Sequence, residues 1–305
     1  MNYPLPLSYG DTIGLVTPSS SVKPEQLAKC IQLILSMGYQ VELVKAVEQS
    51  LHGYVAGSAN TRANDLNSMF ADPKIKAIFC LRGGYGGTQL MDLLNYSMIR
   101  QNPKIFVGYS DVTALHLAFH SLCDFVTFHG PMVSSNMIEN FDTYTKNSFF
   151  RAINMPSYLE FTNPDNEPFH PICEGIASGR IIGGCLSLLS PSIGTFYQTD
   201  FREKILFLED VGESLPRCDK LMHHLKHSDI LSQVNGILLG DFLDCENSNE
   251  KTYTMYDFFV DFFNDYNKPV LYRVHSGHDK PMGTIPLGTI CTIDTYQNRI
   301  WFQYN

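Results

Sequence analysis

Lys104-Ile105-Phe106-Val107-Gly108-Tyr109-Ser110-Asp111 begins as an apolar run and passes directly into the stretch from Val112 to Leu122, which reads as a helix. A short strand feeding straight into a helix is half of a βα unit, the building block of parallel sheets buried between helical layers.

The same alternation extends toward the N-terminus. Thr12-Ile13-Gly14-Leu15-Val16-Thr17-Pro18 reads as a strand and Pro24 to Met37 as a helix. Gln40-Val41-Glu42-Leu43-Val44 and Ala77-Ile78-Phe79-Cys80-Leu81 are further strands, with helices over Arg62 to Phe70 and near Thr88 to Leu94. The expected architecture is α/β: an N-terminal doubly wound parallel sheet of the Rossmann or flavodoxin-like kind over 1–150, with its ligand cleft at the carboxyl ends of the strands. Between 151 and 174 the periodicity breaks among Pro156, Pro164, Pro168 and Pro171, and a linker is expected. Over 175–305 a smaller, strand-rich α/β domain is expected, with strands at Lys204–Leu208, Gly236–Gly240, Pro269–Tyr272 and Thr289–Ile293, and helices near Asp219–Lys226 and Tyr256–Tyr266.

Composition narrows the function classes. With 305 residues, 44% hydrophobic and 17% charged, the chain suits one large or two ordinary globular domains. Its 22 basic and 31 acidic residues give a net charge of −9 without a basic patch, so nucleic acid is not an expected partner. Neither a signal peptide nor a membrane span is legible, which points to the cytoplasm. Eight scattered cysteines, Cys30, Cys80, Cys123, Cys173, Cys185, Cys218, Cys245 and Cys291, without a Cys-x-x-Cys pair, read as reduced thiols.

Ser110 stands where a strand ends and a helix begins, a position that exposes a hydroxyl above a sheet and turns a helix N-terminus toward developing negative charge. The Asp111 amide would be an oxyanion donor there. An ordinary N-cap serine suits the same position, and the GxSxG elbow is incomplete because Val112 replaces its second glycine. Arg82-Gly83-Gly84-Tyr85-Gly86-Gly87 also follows a strand, so its amides could approach an anion, as half of an oxyanion hole or a phosphate cradle. It lacks the Lys-Ser/Thr of a P-loop, and Gln89 breaks GxGxxG; a plain tight turn also fits.

A nucleophilic serine needs a base and the base an orienting carboxylate. His278, in Ser276-Gly277-His278-Asp279-Lys280, follows a strand, and Glu209 and Asp210 close another with Glu213 in the turn beyond; alternation sends Glu209 and Asp210 to opposite faces. The pairs His116/His120 and His223/His227 have zinc-compatible i,i+4 spacing but lack an HExxH glutamate or a third ligand.

Taken together, Arg82-Gly83-Gly84-Tyr85-Gly86, Gly108-Tyr109-Ser110-Asp111, Gly130-Pro131-Met132, Leu208-Glu209-Asp210 and Gly277-His278 with Ile285-Pro286-Leu287-Gly288 resemble, in order and rough spacing, the LD-carboxypeptidase family of S66 serine peptidases. The resemblance implies a triad in which Ser110 attacks, His278 is the base and Glu209 orients it. It implies oxyanion donors at Asp111 and Gly84, substrate contacts near Arg82 and Tyr85, and no metal or cofactor. Its muramoyltetrapeptide carboxypeptidase branch releases the terminal D-alanine from cytoplasmic murein tetrapeptide. A sister branch, resembling microcin C7 self-immunity proteins, cleaves peptidyl or aminoacyl nucleotides with the same triad. The resemblance also suggests a homodimer.

One departure stands out: Ile182 and Cys185 occupy positions where many members carry Trp and Asn around the paired glycines. That argues against nucleobase stacking there unless Phe196, Tyr197 or a partner chain's aromatic substitutes. A noncatalytic two-domain protein holding a small anion would use the same cleft, but would not need Glu209 and His278 within reach of Ser110.

Overall fold

The computed structural model describes residues 1–246 and 252–304. Five parallel strands, β1 (Thr12–Val16), β2 (Gln40–Leu43), β3 (Ile75–Cys80), β4 (Ile105–Gly108) and β5 (Thr127–His129), lie in the order β2-β1-β3-β4-β5. This is the flavodoxin-like order, in which the direction of winding reverses between β1 and β3 and opens a crevice at their carboxyl ends. Helices α1 (Pro24–Ser36), α2 (Ala59–Ala71), α3 (Tyr96–Gln101) and α4 (Thr113–Leu122) follow successive strands. Pro24 suits the first turn of α1, where its missing N–H costs nothing. Ser58 caps α2 by accepting from the Thr61 amide at 3.1 Å.

The second sheet is built from β6 (Tyr158–Phe161), β7 (His170–Cys173), β8 (Ile176–Cys185), β9 (Lys204–Val211), β10 (Gly236–Leu243) and β11 (Val270–Tyr272), followed by two later strands. Beyond β12 (Ile285–Leu287), which leaves for the first sheet, come β13 (Ile290–Asp294) and β14 (Arg299–Gln303). The order is β6-β14-β13-β8-β9-β10-β11-β7, with β8 to β11 parallel. β12 pairs antiparallel with β5, Ile285 opposite His129, so the far end of the chain closes the edge of the first sheet.

Two features of this layout depart from the sequence reading. The segment 151–174, expected as a linker, supplies β6 and β7, one at each edge of the second sheet. Edge strands tolerate proline because one row of their N–H groups needs no partner, and Pro171 sits in β7 opposite Leu271. The expected boundary at 150 falls within the helix Thr143–Ile153.

The two sheets meet at α4. Every residue from Thr113 to His120 is buried, because the helix stands between the sheets rather than on a surface. Gly184 of β8 lies against it: a Cβ there would meet Thr113 Oγ1 at 2.6 Å, and the Cys185 amide donates to that oxygen at 3.1 Å. Leu117 joins Ile182, Leu186 and Leu206 in a shared apolar cluster.

His116 and His120 belong to this core. His116 bonds Thr127 Oγ1 at 2.8 Å and the Gly108 carbonyl at 2.9 Å, and His120 reaches the same threonine at 3.0 Å. Burial pulls His116 down from 6.5 to about 4 and His120 to about 3, so both are neutral in the fold. An unfolded histidine protonates near 6.5 and the folded ones only near 4 and 3. Stability is therefore complete above about pH 6.5 and lost as pH falls from there. Urea titrations at pH 7 and pH 5 are expected to differ by on the order of 2 kcal/mol for each of the two histidines, and His116→Gln to reduce the difference by its share.

Candidate active site

β4 ends at Gly108, where a Cβ would come within 2.8 Å of Val112 Cγ1; the valine in place of the elbow's second glycine fills the space the first one leaves. Tyr109 is extended, and Ser110 then takes φ +62°, a left-handed conformation rare for a residue with a side chain. Such a residue costs on the order of 1 kcal/mol and persists only where its surroundings dictate it. An ordinary N-cap serine has extended backbone, so the observed angle sets Ser110 apart from a cap. A Cβ on Gly83 would lie 2.9 Å from Ser110 Cβ and 3.1 Å from its Oγ, so a bare peptide faces the hydroxyl. Gly84, the expected oxyanion donor, is the next residue, at φ +113°; a Cβ there would meet Ser20 Oγ at 2.1 Å rather than Ser110.

The Asp111 side chain holds this loop in place. Its Oδ2 accepts from Ser19 Oγ at 2.5 Å and from the Gly87 amide at 2.6 Å. Burial pushes the carboxyl above its usual range, while those two bonds and the Arg62 charge pull against it. Arg62 itself is buried on α2. It donates to the Pro18 carbonyl, to the Gly86 carbonyl at 2.8 Å and to Gln89 Oε1 at 2.6 Å, tying together the loops that follow β1 and β3.

The second sheet brings the other two residues. Glu209, fully buried near the end of β9, accepts from His278 Nδ1 at 2.6 Å through Oε2. Two glycines make room: a Cβ on Gly277 would reach that Oε2 at 3.0 Å, and one on Gly240 would reach Glu209 Cβ at 3.1 Å. Burial raises the Glu209 carboxyl, opposed by the His278 charge and hydrogen bond. Burial pulls the His278 ring down, but the charge and hydrogen bond of Glu209 outweigh it and leave the imidazole raised. The pair therefore holds its proton more tightly than either group would in water.

The His278 ring packs edge-on against Tyr109, the neighbour of Ser110, with centroids 4.9 Å apart. His278 and Glu209 are thus bonded to each other, with the His278 ring against the residue that precedes the serine, whereas Ser110 Oγ makes no hydrogen bond among the described residues. Catalytic bonds of this type commonly tighten only when substrate arrives.

The other expected residues separate into roles. Asp210 points away from Glu209, as alternation requires, and bonds the Ser187 amide at 2.8 Å and Ser187 Oγ at 3.1 Å. Arg82 and Tyr85 are exposed on the glycine loop, with Tyr85 edge-on to Tyr54 at 5.5 Å. Ile182 is buried in the apolar cluster around α4, and Cys185 Sγ lies 3.2 Å from Ser187 Oγ. Phe196 is exposed, while Tyr197 OH donates to Asp92. His223 bonds Asp219 on its own helix at 2.8 Å, and its ring meets that of His227 at 5.6 Å. Among the described residues no cluster of three or more His, Cys, Asp or Glu suits a metal ion, and no helix is long and apolar enough to cross a membrane. All eight cysteines are free thiols.

Sequence reasoning missed Ser19, Arg62 and His129. The run Ser19-Ser20-Ser21 after β1 is a legible signal, since ligand loops follow strands at a switch point. Arg62 looks like any helical arginine until the fold buries it. His129 is fully buried between Tyr109 and Phe207 with both ring nitrogens unpartnered, a state only tertiary packing reveals.

Comparison with known proteins places the chain in a family. The model of the LD-carboxypeptidase N-terminal domain matches residues 13–130, and that of the LD-carboxypeptidase C-terminal domain matches residues 178–293. A probable murein peptide carboxypeptidase of Bacillus subtilis is 36% identical over 299 residues, covering 97% of this chain and 92% of the relative. A solved structure of the microcin C7 self immunity protein MccF, in complex with aspartyl sulfamoyl adenosine, superposes with a TM-score of 0.92 at 25% identity, covering 100% of this chain and 99% of that one. The muramoyltetrapeptide carboxypeptidase of Oxalobacter formigenes superposes with a TM-score of 0.83 at 25% identity, covering 95% and 97%. With both domain models matched in order and each half of the candidate site lying within its own match, this chain belongs to the LD-carboxypeptidase family, the S66 peptidases.

Proposed function

We propose that this protein is a cytoplasmic serine carboxypeptidase that cleaves the L,D peptide bond releasing terminal D-alanine from murein tetrapeptide. The observation that carries the reading is the buried 2.6 Å bond between Glu209 and His278, delivered by the second sheet beside the left-handed turn at Ser110. Nothing in a binding protein calls for an orienting carboxylate buried behind a histidine next to a strained serine.

In this mechanism His278 Nε2 takes the Ser110 proton as Oγ attacks the carbonyl of the residue before D-alanine. The tetrahedral oxyanion meets the Asp111 amide and an amide of the Gly83–Gly84 segment. His278 returns the proton to the departing D-alanine nitrogen, and a water, deprotonated by the same imidazole, then releases the acyl group from Ser110. Glu209 holds Nδ1–H throughout and stabilises the imidazolium as it forms. A homodimer is the assembly this reading carries, as in the family it resembles.

A second reading, cleavage of a peptidyl or aminoacyl nucleotide, draws on the closer superposition with MccF. Against it stands Ile182, packed in the core and carrying no ring of its own to stack on a base. Purified protein assayed side by side on tetrapeptide, pentapeptide and a processed microcin C-type nucleotide is expected to prefer the tetrapeptide; a preference for the nucleotide reverses the assignment.

The pH profile tests the base. His278 accepts a proton only when neutral, and Glu209 raises its pKa, so kcat/KM should fall on the acid side with a midpoint above the ordinary 6.5. In Glu209→Gln the raising charge is gone. Its acid limb is expected to move to lower pH, with the plateau reduced at least about a hundredfold. A rate profile unchanged by the substitution removes His278 from the role of base.

A further inference from the structure

A cavity of about 350 Å³ lies where the last turn of α4 meets the start of β9. Arg180 of β8 and Lys204 of β9 pair across the sheet and both line it. Each stands two residues before an apolar residue of the cluster around α4, Ile182 and Leu206, so the face that packs on that helix ends in two cations. The carboxylates on the wall are already engaged. Asp200 is held by Arg202 through two bonds of 2.8 Å, and that pairing, with the Lys204 charge beside it, keeps its carboxyl down at about 2. Asp124 faces the Met1 amino group at 3.5 Å. Neither Arg180 nor Lys204 has an ion pair among the described residues, and Arg180 donates to the Gly288 carbonyl at 3.3 Å. The carbonyl end of α4, which would repel an anion, is answered by Arg100, whose Nε donates to the Leu122 carbonyl at 3.0 Å.

His120 adds a second requirement. Its side chain lines the cavity at 8% exposure, and its Nδ1 has no hydrogen-bond partner. The bonds behind it fix which nitrogen carries the proton. His116 Nε2 faces the Gly108 carbonyl, which can only accept, so in the neutral ring Nε2 holds the proton and Nδ1 is a lone pair. The Thr127 hydroxyl must then donate its one proton to His116 Nδ1, and it accepts from His120 Nε2–H. His120 is neutral too, so its Nδ1 is left as a bare acceptor. A buried acceptor without a donor is costly, and a ligand that brings one removes the cost.

We propose that this cavity binds a small anion that also carries an O–H group, hydrogenphosphate or a hydroxycarboxylate, with its charge on Arg180 and Lys204 and its hydroxyl donated to His120 Nδ1. An anion without that proton points lone pairs at a lone pair. Bound there, the ligand ties α4 to both strands of the second sheet. The site is separate from the candidate active site: Lys204 and Glu209 stand about 17 Å apart along an extended strand.

Calorimetric titration of the unaltered protein at pH 7 tests it with two pairs of similar shape, phosphate against sulfate and lactate against propionate. Only the first of each pair carries an O–H, and sulfate has the larger charge, so charge alone favours the wrong member. Phosphate, lactate or both are expected to bind at least tenfold more tightly than their partners, and whichever does so identifies the source. Arg180→Gln and Lys204→Gln, at the edge of the cavity, are each expected to weaken that binding at least tenfold, and His120→Phe to reduce it to the level of the proton-free anion. Equal binding within both pairs, no binding of phosphate or lactate, or binding indifferent to Arg180→Gln and Lys204→Gln overturns the site. These outcomes stand even if His120→Phe fails to fold, and none depends on release of D-alanine.

Discussion

Ser110→Ala is expected to lower D-alanine release from murein tetrapeptide by at least about a thousandfold while changing tetrapeptide affinity only a few-fold. The asymmetry follows from what the hydroxyl touches. Ser110 Oγ makes no hydrogen bond among the described residues, so removing it leaves no buried group unpaired. The neighbouring contacts that set the loop, Asp111 with Ser19 and Gly87 at 2.5 and 2.6 Å, do not involve it. What disappears is the attacking atom, and with it the covalent path; only the oxyanion amides and binding remain to accelerate attack by water. Single-turnover release and calorimetry on the same preparation check both halves. Undiminished turnover would show that the nucleophile lies elsewhere.

The largest effect on stability is expected at Gly183. An alanine Cβ there would stand 1.9 Å from the Phe207 carbonyl oxygen and 2.8 Å from its carbon, atoms of the adjoining strand β9 that have no rotamer through which to yield. Its φ of +133° adds backbone strain for any residue with a side chain. Relieving the clash means separating β8 from β9 where Gly183 pairs with Phe207, two residues from the pairing of Cys185 with Glu209. Gly183→Ala is therefore expected to cost more than about 3 kcal/mol, read as a lowered urea midpoint with little change in slope. Gly194→Ala is the control: φ is +80°, yet nothing lies within 4 Å of its Cβ, so its cost is expected to stay near 1 kcal/mol. Similar midpoints for the two variants would mean that the backbone angle, not the clash, dominates.

These outcomes bear on how the site is assembled. Ser110 lies on one sheet and the Glu209–His278 pair on another, and the contact that registers them is α4 against β8, where Gly184 and Cys185 meet Thr113 three residues beyond Ser110. β12 adds a second tie, since the chain that has just carried His278 past the site pairs with β5 of the first sheet. The loop holding His278 is thus held at both ends, one in each sheet.

The amino-acid sequence by itself determined the βα order of the first half, the strand ends where chemistry would sit and the opposite faces of Glu209 and Asp210. Each depends on periodicity or on the next few residues, information that a window of ten residues contains. The company of Ser110, Glu209 and His278 was legible only through ordered motifs resembling a known family, because no local pattern measures a distance across 168 residues of chain. Tertiary structure alone decided the rest. It turned a proline-rich stretch into two edge strands, since an edge needs only half its N–H groups paired. It buried Arg62 and His129, whose surroundings come from elements far apart in the chain. And it set the Cα of Gly83 against Ser110, because which residue of a glycine loop packs on a hydroxyl depends on how two loops dock.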